Sequence, residues 1–445
     1  MLWRIVCLVG LLIAISETGH AQNVPQFRGA GGQGVNKEAK IPADWDQTKS
    51  LQWKVAVEGG GWSQPVVWKN RIYLTTAVAE NGFKPADFAG GVRNPASMGM
   101  GSKRPDYKVE WKVVCLDGDS GKQIWETSVA VAQPKFGIHP SNSYATETPA
   151  VDERGVYAFF GSAGVMVGID HKGNEIWKRD VGAFKTNNDF GTGSSLAIND
   201  GRIYAQSLTE ESADIHCLNA STGETIWKKE RDPSHKTSWS TPLVWKNEKR
   251  SELIVSGGTL IGSYDLATGD QLWSVSKVKS ATACSVFGDE KHIYFGGSDP
   301  MSKGPLFAVG AGGSGEIKPK RTNQTFDTCA WRVPRSAPGM STPVSNGEYL
   351  LLTDRSVVRV LKAADGSEVF KNRLPGMGMV VGCATVIGDE VFLVDEAGKM
   401  GAVKLQDEFE FRSLGDLDDI VWSTAAVTKD SLLVRGVKAL YKFKL

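Results

Sequence analysis

The chain has 445 residues, with 51 Lys plus Arg against 50 Asp plus Glu and a formal net charge of +1. That balance excludes the basic excess of a nucleic-acid binder and the one-sign field that steers a charged substrate or holds a protein on an anionic membrane. Fifty glycines and fourteen tryptophans suit a protein of many tight turns and broad aromatic packing.

In chain order, the first element is an apolar run from Ile5 to Ile15, preceded by Arg4 and followed by the small-residue exit Gly19-His20-Ala21. This is the make-up of an export signal cleaved after about Ala21, so the mature chain is expected in the periplasm or outside the cell. Cys7 lies inside the run without the Leu-small-small context of a lipid-anchor site, and no later apolar run approaches the roughly 20 residues of a membrane span. Residues 22–49 read as an N-terminal extension, and residues 50–445 as one domain.

Next comes "SLQWKVAV" (residues 50–57), a strand with Trp53 and no partner before it. Eight strand–polar turn–strand units follow, starting at Trp62, Thr146, Gly191, Trp239, Ala283, Met340, Cys383 and Trp422. Four of them lead into a third strand ending at Asp117, Asp170, Asn219 or Asp265. A turn glycine follows in five (Gly121, Gly173, Gly223, Gly269, Gly366), and four residues later an aromatic (Trp125, Trp177, Trp227, Trp273, Phe370). An Asx side chain bonds the turn backbone and glycine takes the positive φ, so each unit ends in an outer hairpin. Four-stranded antiparallel units of about 40 to 50 residues, repeated eight times, predict an all-β fold, an eight-bladed β-propeller. The last unit stops at "LYKFKL" one strand short, and Leu51–Val55 is expected to supply that strand and close the ring. "GAGGSG" from Gly310 matches a dinucleotide fingerprint, but it stands where the fifth blade needs its outer turn, with "EIKPK" as the strand after it.

In such a ring, the loops from second to third strand and from fourth strand to the next blade share one face, here called the upper face, the default place for a ligand. The loops assigned to it carry His139, Asn142, Tyr144, Asn187, Asn188, Asp189, Trp239, Trp331, Arg332 and Trp422, together with His235, Asp327, Arg335 and Asp419. The segment "FGIHPSNSYATETP" (residues 136–149) packs imidazole, amide, phenol and hydroxyl groups into one loop, which makes His139, Asn142 and Tyr144 the first candidates. Only two of the six histidines fall on this face, which argues against a histidine metal cluster. The five mature cysteines lack paired spacing and read as buried thiols.

The repeated D-x-x-T/S-G-x-x-x-W turn, with S-T-P-x-V in the strand before it, resembles the pyrroloquinoline-quinone-type (PQQ-like) propeller repeat. "PQFRGAGGQGV", "IPADWDQTKSLQWKV" and "HPSNSYATETP" are similar to a secreted, planctomycete-type bacterial subgroup of PQQ-binding-like propellers. The resemblance covers nearly the whole mature chain. It implies either a quinoprotein dehydrogenase, holding PQQ through a vicinal cysteine pair, a stacking tryptophan and calcium, or a non-enzymatic propeller like that of outer-membrane β-barrel assembly. No two cysteines are adjacent here. The expected function is therefore a non-catalytic binding or assembly scaffold: monomeric, without cofactor, nucleic acid or transmembrane segment, docking a protein or glycan on the upper face. A PQQ- and calcium-dependent dehydrogenase is the alternative.

Overall fold

A computed structural model describes residues 23–82, 103–231, 237–257, 259–276, 278, 283–299, 302–318 and 329–445. The export signal, His235 and Asp327 lie outside the described residues, as does the part of the first upper-face insertion at 83–102.

Eight four-stranded antiparallel blades form the ring, with strands within 66–132, 150–180, 197–230, 243–276, 287–333, 344–373, 385–416 and 426–444, the last completed by Leu51–Val55. Each blade alternates residues between its two faces, so neighbouring blades bury a shared apolar layer and no single central core exists. Leu51–Val55 pairs antiparallel with Leu440–Lys444, placing Trp53 opposite Lys442 and Val55 opposite Leu440. The expected closure is what the structure shows.

The repeated tryptophan joins blade to blade. Trp177 is nearly buried, donates its indole N–H to Ala220 O of the third blade at 2.8 Å, and stacks on Tyr157 with centroids 6.1 Å apart. Its ring lies over Gly223, where a Cβ would come 2.5 Å from Trp177 Cδ2, so this turn position needs glycine for contact as well as for its φ of 71°. The same indole-to-carbonyl bond recurs at Trp53 with Gly118, Trp125 with His171, Trp227 with Leu266 and Trp331 with Ala363.

Trp331 corrects two expectations. It belongs to Cys329–Val333, the outer strand of the fifth blade, paired with Leu306–Gly310, so neither it nor Arg332 is an upper-face loop residue. Arg332 lies over the Phe307 ring at 5.9 Å. "EIKPK" does not form that outer strand: Gly315–Glu316 pairs in parallel with the outer strand of the fourth blade, Gly315 opposite Trp273. The stretch after the glycine-rich turn has no aromatic to cover the next blade, and the strand that carries one lies beyond an insertion.

A second set of repeated residues ties the ring near its axis. In six blades the middle residue of the S-T-P-like motif enters the innermost strand with its amide pointing at the next blade. Gln64 N donates to Thr148 Oγ1, Thr148 N to Ser195 Oγ, Ser195 N to Thr241 Oγ1, Thr241 N to Ser285 Oγ, Ser285 N to Thr342 Oγ1 and Cys383 N to Thr424 Oγ1, at 2.9–3.1 Å. The other two junctions are bridged by Ser341 Oγ to Gly382 O and by Gln64 Nε2 to Ala425 O. A hydroxyl recurs there because an otherwise orphaned buried amide needs an acceptor.

Residues 23–49 are integral to the ring. Val24 bridges Val67, Pro25 O accepts from Val151 N, Gln26 Oε1 from Ile198 N and Gln33 Oε1 from Gly288 N. Gly32 sits against Leu243, Arg28 Nη2 reaches Pro343 O, Val35–Asn36 adds a parallel strand beside Thr385–Ile387, and Asn36 Nδ2 donates to Val427 O. Every blade is touched in turn. Ala39 and Ile41 then bury beside the seventh and eighth blades, and Trp45 donates to Leu414 O at 2.9 Å before the chain enters the closing strand.

Candidate functional site

The upper-face loop at 181–193, between the second and third blades, gathers most of the candidate residues. Asn142 holds it in place: Nδ2 donates to Phe190 O (2.7 Å) and Thr192 O (3.0 Å), while Oδ1 accepts from Ser143 N (2.7 Å) and Thr146 Oγ1 (2.5 Å). All of its amide capacity goes into bracing the loop. His139 Nδ1 lies 2.6 Å from Ser141 Oγ, and the imidazole meets Phe190 edge-on at 5.0 Å. Tyr144 is buried edge-on against Trp111, whose indole donates to Tyr144 O at 2.9 Å; burial raises its phenol above the ordinary range. The three first candidates are thus a brace beneath the loop.

Asn187, Asn188 and Asp189 form a short 3-10 turn, with Asn188 and Asp189 both at a φ of 53°. Two consecutive left-handed non-glycine residues are a local strain of the kind found at binding loops. Asn187 N donates to Thr237 Oγ1 (2.8 Å), and Trp239 closes the other side through Nε1 to Gly191 O (2.7 Å). Trp422 stands apart, near the eighth blade, stacked with Trp62 at 5.9 Å in an apolar cluster with Val381. Asp419 is spent on backbone amides and the Tyr441 hydroxyl.

The inner side of this loop lines a shallow cleft of about 20 Å³, partly open to solvent. Its floor is Gln206, Ser207 and Leu208 from the second strand of the third blade; Thr186, Thr192 and Ser194 form one wall, Thr237 and Ser238 the other, with Phe159 and Phe184 at the side. Gln206 Nε2 donates to Ser240 O, while its buried Oε1 has no donor. Sequence reading missed these residues, because single hydroxyls on strand ends look like ordinary turn chemistry.

Glu147 lies behind the wall. It stands where most other blades have Ser (Ser63, Ser194, Ser240, Ser341, Ser423), a departure visible in "TETP". Its Oε1 accepts from Gly161 N at 3.2 Å and Oε2 is buried without a partner. Burial pushes its carboxyl up to about 7 despite hydrogen bonds from Thr192 and Gly161. The folded chain therefore holds a proton that the unfolded chain loses near 4.5. That contribution to stability is complete below pH 4.5 and is lost as pH rises through 7. Urea denaturation at pH 4 and pH 8 should show the wild type losing about 3 kcal/mol relative to Glu147→Gln; parallel profiles would refute the assignment.

The family described as outer membrane protein assembly factor BamB matches residues 162–311, from the middle of the second blade into the fifth. That match falls on consecutive blades of a closed eight-bladed ring. The fold is an eight-bladed β-propeller with PQQ-like repeats. A search of the curated proteins gives no match. Among solved structures, the propeller is similar to BamB from Moraxella catarrhalis (11% identity, 89% of this chain and 99% of that one, TM-score 0.58). It is also similar to the quinohemoprotein alcohol dehydrogenase from Comamonas testosteroni (12% identity, 96% and 81%, TM-score 0.57) and to the Dos1 propeller (9% identity, 89% and 95%, TM-score 0.58). At these identities the likeness is one of fold.

Among the described residues, no three His, Cys, Asp or Glu side chains gather as a metal needs. The five cysteines described are free thiols, none adjacent to another. No helix among the described residues is long and apolar enough to cross a membrane.

Proposed function

We propose that this propeller is an exported, non-catalytic binding scaffold that docks a protein or glycan partner on its upper face, at the cleft between the second, third and fourth blades. The observation that carries the reading is the chemistry of the lining: hydroxyls, glycines, two phenylalanines and the Gln206 carboxamide, with no titratable side chain among the described lining residues. Two of the lining hydroxyls hydrogen-bond carboxylates, Thr192 with Glu147 and Thr237 with Glu210, but neither carboxylate itself lines the cleft, where acid–base work would need it. This lining instead offers neutral hydrogen bonds and flat apolar surface, which suit a peptide backbone or a sugar ring. The unspent Gln206 Oε1 would gain a donor from such a partner. The leader at residues 1–21 supports export, and the match to a family named for an assembly factor supports a protein partner.

A photo-crosslinking residue at Lys185, exposed beside Phe184, should capture a discrete partner in the cell envelope of the source organism. The same residue at Lys172, exposed in the lower-face turn of the second blade, should not. Equal labelling at both positions, or none at Lys185, would overturn the proposal.

A further inference from the structure

Where the ring closes, the upper face carries a second pocket. The chain running from the closing strand into the first blade borders it as Gly59-Gly60-Gly61-Trp62, and the turn after the second strand of the eighth blade borders it with Gly436, Val437 and Ala439. Arg435, at the end of that strand, lines the same pocket and is the one charged side chain among its described lining residues. It is 3% exposed, and Nη1 fixes it by donating to Ser63 Oγ (2.5 Å) and Thr75 O (2.8 Å). Its Nε and Nη2 have no acceptor among the described residues and are not sealed from solvent. Nη2 stands against Gly61, where a Cβ would come 2.7 Å from it; a side chain at that position would cover the free edge. No carboxylate answers the charge, and burial alone lowers the guanidinium, to about 9. Asp419, packed against Gly436, gives its oxygens to Ile420 N, Lys438 N and the Tyr441 hydroxyl, and Glu58 pairs with Lys112.

Nε–H and Nη2–H lie side by side on one edge of the guanidinium plane, the fork that takes both oxygens of a carboxylate. The pocket has a volume of about 10 Å³ and is partly open to solvent. That is room for a water-sized head group while whatever carries it stays outside. Besides Arg435, the polar side-chain atom of the lining is the Trp62 indole nitrogen, already donating to Ser141 O at 3.0 Å. An acidic sugar would leave its ring hydroxyls without partners here, whereas an acidic side chain brings only methylenes beside Val57 and Val437. We infer that this pocket binds the carboxylate of an acidic peptide side chain, held by Arg435 Nε and Nη2 together. The site is separate from the cleft between the second, third and fourth blades, and its test does not depend on a partner docking there.

Two measurements test it. Wild-type crystals soaked in N-acetyl-glutamate N-methylamide should show the side-chain carboxylate with one oxygen on Arg435 Nε and the other on Nη2. Water in its place, or the compound bound only elsewhere, overturns the site. In solution at constant ionic strength, the same compound should raise the melting temperature of the wild type by a few degrees, the neutral glutamine counterpart should not, and Arg435→Lys should respond to neither. An equal response to the two compounds, a response to glucuronate in place of the glutamate compound, or an equal response of wild type and variant overturns the inference. Should Arg435→Lys not fold, the carboxylate position in the wild-type crystal decides alone.

Discussion

Deleting Leu51–Val55 should convert a single cooperative melt into an early, aggregating transition. This strand is the only one in its blade that comes from the other end of the chain, and its pairing with Leu440–Lys444 is the bond that closes the ring. Without it the edge of Leu440–Lys444, which carries Tyr441 and Phe443, is left unpaired, a template for another chain. Trp53 goes too, and with it the cover over Gly121 and the bond to Gly118 O. Loss of one such aromatic costs about 3 to 5 kcal/mol, and the backbone ladder is lost in addition. Calorimetry with size-exclusion chromatography reads the outcome; an unchanged melt and a monomeric peak would mean that the ring does not depend on this closure.

Trp177→Ala and Trp227→Ala should each cost about 3 to 5 kcal/mol, as large aromatic truncations in well-packed sites do. Both indoles are 8% exposed, cover the turn glycine of the next blade and donate to a carbonyl there. The structure places Trp331 in the same class, over Gly366 with its N–H on Ala363 O, so Trp331→Ala should match them. Trp239 is half-buried at the edge of the cleft loop and should cost roughly half as much, since less of its area leaves water on folding. Chemical denaturation of the four variants checks this; equal losses at Trp239 and Trp177 would erase the distinction between blade-joining and face-lining tryptophans.

The blades and their closure were legible because the repeat carries its own punctuation in five of the eight units: a glycine and, four residues on, an aromatic. Trp331 escaped that rule because the insertion after Glu316 separates it from its turn glycine, so spacing alone assigned it to a loop. The N-terminal segment has no periodicity to read, since its residues bond the inner ends of eight different strands. Asn142 and Tyr144 looked like ligand groups because composition counts polar atoms and cannot tell which are already paired; in the fold, Asn142 spends its amide on Phe190, Thr192, Ser143 and Thr146. The cleft floor at Gln206 carried no signal, while Glu147 did, as the carboxylate standing in the serine position of its motif.

The central claim is that this propeller binds without catalysing. The most direct test equilibrates purified protein with pyrroloquinoline quinone and calcium, removes unbound quinone by desalting, and follows both retained quinone absorbance and alcohol-dependent reduction of an electron-accepting dye. The account predicts no retained absorbance and dye reduction no faster than without protein. Stoichiometric retention of the quinone with alcohol-dependent dye reduction would contradict it.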